Sequence, residues 1–164
     1  MLKLAELNAL PREEFTRTIA SIFEHSPWVA ARTASARPFV SREALHRALC
    51  QTVAEAKKDE QLSLIRAHPD LVGRASLTTE SRAEQARAGL DHLAPEEIAL
   101  FRKYNRAYHE RFGFPFVICA RLNKKEAILR AFPERLQNSP EKEIETALAE
   151  IYKIAELRLR DLVQ

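Results

Sequence analysis

A chain of 164 residues with 46% hydrophobic side chains can bury a core, and its 30% charged residues are ordinary for a globular protein. Basic residues exceed acidic ones by 26 to 23, a net charge of +3. That mild, scattered excess suits small anionic ligands better than a nucleic-acid backbone. The three glycines, Gly73, Gly89 and Gly113, stand too far apart for a dinucleotide turn or a P-loop, and they offer little hairpin chemistry for an all-β fold. Neither Gly-x-Ser-x-Gly nor His-Glu-x-x-His occurs. The longest apolar run, 114–120, is far too short to cross a bilayer, and Glu6 and Asn8 interrupt what a signal peptide would keep apolar. Nothing marks Cys50 and Cys119 as a disulfide pair, so the expectation is a cytoplasmic chain with reduced thiols.

Helical periodicity dominates from the start. Pro11, followed by Glu13 and Glu14, opens a helix with Phe15, Ile19, Ile22 and Phe23 on one stripe. The Ser26-Pro27 turn leads into a short helical piece at Trp28-Val29-Ala30-Ala31, and Arg37-Pro38 breaks it. Ser41 can cap the next helix, whose apolar face is Leu45, Leu49, Val53 and Ala56. A helix over 59–67 stops at His68, because Pro69 disfavours helical geometry in the residue before it. Gly73 and the polar run to Thr79 make the longest expected loop, and a short helix then ends at Gly89, suited to the left-handed position behind a helix.

Pro95-Glu96-Glu97 starts a long helix carrying Ile98, Phe101, Tyr104, Tyr108 and Phe112, closed by Gly113. The stretch 114–120 is either extended or opens a helix. Asn123 and Glu126 have capping-box spacing ahead of a helix over 127–136. The last helix begins at Ser139-Pro140-Glu141. Its stripe of Ile144, Leu148, Ile151, Ala155, Leu159 and Leu162 alternates steps of four and three, as a bundle or dimer seam does. The expected architecture is one all-α domain over 1–164, a helical bundle of about seven to nine helices.

Three segments have the residue types for chemistry. His68-Pro69-Asp70-Leu71 puts an imidazole at a helix C-terminus, whose partial negative charge favours a protonated ring able to donate near neutral pH; the alternative is a ring N–H that merely caps the helix. Ser81, Glu84 and Gln85 share one face if the helix starts near Thr79, and small Ala88 extends it; if Ser81 is the N-cap, Ser81-x-x-Glu84 is a capping box, the reading the spacing favours. Phe116, Val117, Ile118, Cys119 and Ala120 follow Gly113 and Pro115 in an apolar stretch. It is either core or a run of backbone polar groups that a ring-shaped ligand could satisfy. His25 and His92 read as surface or capping residues, and His109 as a partly exposed packing residue. His46 and Cys50 share a helix face but lack the carboxylates of a good metal site. Arg158 and Arg160 read as a solvated face, and Cys119 as a small core residue.

Taken together, His68-Pro69-Asp70-Leu71-x-Gly73, Ser81-x-x-Glu84-Gln85-x-x-Ala88-Gly89-Leu90, Asn105-x-x-Tyr108 and Phe112-Gly113-Phe114-Pro115-Phe116-Val117 resemble the OHCU decarboxylase family of ureide biosynthesis. Phe15, the Ser26-Pro27-Trp28-Val29 turn and Ile154-Ala155-x-Leu157-Arg158-Leu159 fit the same pattern, so the resemblance spans nearly the whole chain. Val72 departs from it, standing where an alanine is common. The resemblance implies an all-helical, cofactor-free homodimer that decarboxylates 2-oxo-4-hydroxy-4-carboxy-5-ureidoimidazoline (OHCU) to (S)-allantoin in urate breakdown. It implies that His68 is the catalytic histidine, and the chemistry adds the expectation that Glu84 orients His68 or the ureido N–H groups. Pro69, Ser81, Glu84, Gln85, the backbone of Phe116, Val117, Ile118, Cys119 and Ala120, and Arg158 would bind substrate. No nucleic acid, membrane or metal enters this expectation. The ending Leu162-Val163-Gln164, without a Ser-Lys-Leu-type address, adds the expectation of a cytoplasmic member.

Two rivals differ in kind. A helical lyase or hydrolase acting on a related ureide acid would use the same pocket, and only substrate trials separate it. A non-catalytic module for an acidic partner would gather its basic residues, whereas Arg12, Arg17, Arg47, Arg74, Arg102, Arg135 and Arg160 are dispersed.

Overall fold

A computed structural model describes residues 1–73 and 77–164; Arg74 and the middle of the loop expected between Gly73 and Thr79 lie outside the described residues. Among these residues there are nine α-helices and three 3-10 turns, and the only β pairing is an isolated bridge between Leu2 and Val163, so the chain is all-α as expected. The helices fall into two units, Met1–Ala67 with Tyr152–Gln164, and His68–Ile151.

The first unit opens with α1 (Leu4–Ala9), a helix the apolar pattern did not announce, begun where the Glu6 carboxylate accepts from the Lys3 N–H at 3.0 Å. In α2 (Arg12–Thr18) the helix stops earlier than the stripe predicts, and Ala20–Ile22 tightens into a 3-10 turn. Phe15, Ile19, Ile22 and Phe23 are all buried nonetheless. Helix α3 (Pro27–Thr33) has Pro27 in its first turn and packs on α2 and on α4 (Arg42–Ala54). Ser41 caps α4 as expected, its hydroxyl accepting from the Ala44 N–H at 3.0 Å, and Leu45, Leu49 and Val53 are fully buried. Helix α5 (Lys58–Arg66) ends just ahead of His68 and Pro69.

The second unit is built from α6 (Thr79–Arg87), α7 (Pro95–Phe112), α8 (Lys125–Leu136) and the first part of α9 (Pro140–Leu162). Gly89, with φ of +80°, closes α6: its N–H reaches the Ala86 carbonyl and the Leu90 N–H reaches the Gln85 carbonyl, both at 3.0 Å. This paired arrangement satisfies carbonyls that the helix end leaves open. Gly113 does the same for α7 at φ +74°, its N–H on the His109 carbonyl at 2.9 Å. The chain from Phe114 is then non-helical until the 3-10 turn Ala120–Leu122, which settles the open alternative.

Two expectations need correction. Asn123 does not cap α8: Lys124 occupies the cap position, and the Asn123 amide donates to the Cys119 carbonyl at 3.0 Å instead. The stripe on α9 is not an open dimer seam, because Leu148, Ile151, Ala155 and Leu159 are buried within this chain and only Ile144 and Leu162 are half-exposed.

Candidate active site

The segment 68–73 leaves helical geometry at His68, and the ring does not point into bulk solvent: the residue is 8% exposed. Pro69, Asp70 and Val72 are half-buried, Gly73 is exposed, and Leu71 is buried. Side chains from two helices hold the backbone here. The Gln85 Oε1 on α6 accepts from the Val72 N–H at 3.3 Å, and the Asn105 Nδ2 on α7 donates to the Leu71 carbonyl at 2.8 Å. His109 Nε2 stands 2.7 Å from Asp70 Oδ1. On the α7 side of the segment, a cavity of about 410 Å³ is bordered by Asp70, Val72, Gly73, Asn105 and the exposed arginines Arg102 and Arg106.

Helix α6 starts at Thr79, with the Thr78 hydroxyl accepting from the Ser81 N–H at 3.2 Å. The capping box that the spacing favours at Ser81 is therefore not formed; Thr78 is the cap and Ser81 lies inside the first turn. A cap three residues earlier frees the Ser81 and Glu84 side chains from helix-end duty and puts them on one face with Gln85. Ser81, Gln85 and Ala88 are buried and Glu84 is half-buried, whereas Arg82, Ala83, Ala86 and Arg87 face water.

Helix α6 packs on the 3-10 turn Ala120–Leu122, which brings it to the end of the third segment. Phe116, Val117, Ile118, Cys119 and Ala120 are all buried. Protein groups satisfy part of their backbone: the Val117 carbonyl accepts from Arg135 Nη1 at 2.6 Å, the Cys119 N–H donates to Glu150 Oε1 at 3.4 Å, and the Cys119 carbonyl takes the Asn123 amide. Burial pushes the Cys119 thiol up, and the negative charges of Glu150 and Glu84 act in the same direction, against the Leu122 N–H. The thiol is therefore protonated and a poor nucleophile, in line with a core role.

Behind the stretch lies a charge cluster that no sequence spacing revealed. Glu143, fully buried, pairs with Arg135 at 2.9 Å and accepts from the Tyr108 hydroxyl; Asn138 adds a donor at 2.9 Å. The Arg135 guanidinium lies 4.2 Å from the centre of the Phe116 ring, which stacks on Phe132 at 3.8 Å. This network holds the stretch through the Val117 carbonyl and the Phe116 ring.

The structure thus brings His68, Pro69, Ser81, Glu84, Gln85 and residues 116–120 into one unit, with direct links from the His68 segment to α6 and from α6 to the turn after Cys119. Arg158 belongs to the first unit, where it is buried with its Nη2 on Glu24 Oε2 at 2.9 Å and its Nη1 on the Ser21 carbonyl at 3.0 Å. The solvated face expected for Arg158 is corrected accordingly; Arg160 is exposed and pairs with Glu156. Sequence reasoning passed over Asn105 and His109 as site residues. An amide on an apolar stripe between Phe101 and Tyr108 was the available signal for the first; His109 had none, because its partner lies 39 residues away. Among the described residues no cluster of three or more His, Cys, Asp or Glu could hold a metal ion, and no helix is long and apolar enough to cross a membrane.

Comparison with known proteins gives this geometry a family. The model of the family described as OHCU decarboxylase matches residues 8–160. The 2-oxo-4-hydroxy-4-carboxy-5-ureidoimidazoline decarboxylase of Haloferax volcanii is 44% identical over 98% of this chain and 95% of its own length. The uric acid degradation bifunctional protein PucL of Bacillus subtilis is 40% identical over 99% of this chain, which corresponds to 33% of that longer protein. Among solved structures, one described as (S)-allantoin synthase superposes with a TM-score of 0.81 at 28% identity, covering 100% of this chain and 54% of that one. An OHCU decarboxylase crystallised in the presence of (S)-allantoin gives 0.73 at 27% identity, covering 88% of this chain and 96% of that one. With a match that takes in all three segments and the helices that support them, the chain belongs to the OHCU decarboxylase family.

Proposed function

We propose that this chain removes CO2 from OHCU to give (S)-allantoin, in urate degradation, as a carboxy-lyase that needs no cofactor. The observation that carries the reading is the family match over residues 8–160, the span that contains every candidate site residue.

The substrate supplies its own electron sink. The pair left by the departing carboxylate can enter the neighbouring imine-like carbon–nitrogen bond, so neither pyridoxal nor thiamin is required. The ring nitrogen that receives the pair takes a proton, the hydroxyl-bearing carbon becomes a carbonyl as its O–H proton leaves, and the ureido-bearing carbon takes a proton, so that one net proton replaces the departed carboxylate. What the protein adds is orientation and one-sided proton delivery. His68 serves as the acid–base group that moves the proton, its low exposure protecting the transfer from bulk water. Glu84 orients the imidazole or receives the ureido N–H groups. Ser81 and the Gln85 amide hold ring and ureido oxygens, while Pro69 and the backbone of Phe116, Val117, Ile118, Cys119 and Ala120 shape the wall. Arg158, or a backbone N–H, faces the anionic group. The enzyme works as one domain over residues 1–164, as a homodimer and in the cytoplasm.

The test supplies freshly generated OHCU to the purified protein and follows ultraviolet absorbance together with circular dichroism. Wild type produces (S)-allantoin faster than the spontaneous reaction. His68→Asn keeps the melting temperature and loses about 100- to 10,000-fold in rate, the usual contribution of a positioned acid–base group. Decarboxylation by His68→Asn at the wild-type rate refutes the assignment of His68, and a wild-type chain no faster than buffer refutes the activity.

A further inference from the structure

Immediately after His68 and Pro69, three consecutive residues are each gripped by a different side chain: Asp70 by His109, Leu71 by Asn105 and Val72 by Gln85. Two of the grips stand one turn apart on α7, and the third comes from α6. Asn105 is the informative one. It sits on the buried face of α7 between Phe101 and Tyr108 and is 8% exposed. Its Nδ2 bonds the Leu71 carbonyl, whereas its Oδ1 is buried with no hydrogen-bond partner among the described residues. A buried amide oxygen without a donor costs free energy that an apolar side chain of similar size would not incur. Stability alone therefore accounts poorly for an asparagine at this position, and the bond to Leu71 is what the residue contributes.

We propose that Asn105 is a positioning residue for catalysis, which together with His109 fixes the segment 70–72 and thereby aims the His68 imidazole. The path from Leu71 back to His68 is two residues long and includes Pro69, whose ring locks one of the backbone torsions, so a shift at Leu71 is passed on rather than absorbed. The bond to Leu71 is buried and direct, while the His109–Asp70 pair is partly exposed and adds less. The catalytic consequence rests on the decarboxylase reading; the structural consequence does not.

Asn105→Ala removes the grip, and Asn105→Asp keeps the shape but leaves a carboxylate that cannot donate to the Leu71 carbonyl. In both variants the amide hydrogens of residues 71–73 exchange at least about tenfold faster, the loss of one buried hydrogen bond, while the rest of α7 stays protected. The kcat falls about 100-fold, the scale of a displacement near 1 Å at a reacting group, with KM nearly unchanged and the (S) excess of the product reduced. His109→Ala moves the same readouts the same way by a few-fold, and because His109 is exposed it remains usable should Asn105→Ala fail to fold. Exchange at 71–73 equal to wild type in the folded variants overturns the proposal. So does faster exchange with unchanged kcat and unchanged (S) excess. If wild type itself does not act on OHCU, the decarboxylase reading fails, and exchange at 71–73 still decides whether Asn105 holds the segment.

Discussion

Residues 68–73 and 114–120 both leave helical geometry inside the unit His68–Ile151, yet they are held by different means. The second stretch is buried from Phe114 to Ala120, wedged by the Phe116–Phe132 stack and clamped by Arg135, itself neutralised by Glu143. The first keeps three of its six residues half-buried and one exposed, and is held by single directional bonds from Gln85, Asn105 and His109. Packing and a buried charge pair make a wall that resists displacement, because every movement opens a void or strands a charge. A few hydrogen bonds make a mount whose aim can be set accurately but whose removal costs little of the overall stability. On the proposed function the contrast separates scaffold from working part: mutations behind 114–120 should unfold the protein, and mutations around 68–73 should disarm it.

The largest effect that tests this division is expected from Glu143→Gln, which leaves the Arg135 guanidinium buried without its counter-charge. Urea unfolding should show a loss of about 3–5 kcal/mol, the usual result of breaking a buried pair by removing one partner. A loss no larger than that of a surface substitution would erase the distinction between the two stretches. A smaller effect is expected from Thr78→Ala, which removes the cap that lets α6 begin before Ser81. That should cost about 1 kcal/mol by the same measurement, with faster amide exchange confined to the first turn of α6. The subtlest readout is the Cys119 thiol. Burial holds it protonated, so iodoacetamide at mildly alkaline pH should leave it unmodified in the folded protein and label it once urea unfolds the chain. Rapid labelling of native Cys119 would show that the wall opens as readily as the mount.

What the sequence made legible follows the range of the interaction. Ends written by one residue were readable: Pro27 and Pro95 at helix starts, Gly89 and Gly113 behind helix ends, Ser41 as a cap. The ordered motifs also pointed to the His68, Ser81-to-Gln85 and 116–120 segments, which fall in one compact unit. Competing local solutions were less readable. Thr78 and Ser81 can both cap a helix, and the structure takes the earlier one; Asn123 has cap spacing but spends its amide on Cys119. Least readable were partners brought together by folding alone. His109 with Asp70, Arg135 with Glu143 and Tyr108, and Arg158 with Glu24 are 39, 8, 27 and 134 residues apart, and their side chains carry no sign of which opposite charge they will meet. Arg158 accordingly read as a solvated residue although it is buried.

Three polar atoms of Gln85 have unequal commitments. Its backbone carbonyl closes α6 by accepting from Leu90, its side-chain oxygen is taken by Val72, and its Nε2 has no partner among the described residues. An acceptor that docks on those amide hydrogens must find the group already turned toward Val72, and once docked it keeps it turned. Occupancy and the order of the neighbouring backbone are then reciprocal quantities, each raising the other by the same factor. A glutamate in its place could still receive the Val72 N–H but would repel the incoming oxygen, severing that linkage while leaving the helix end intact.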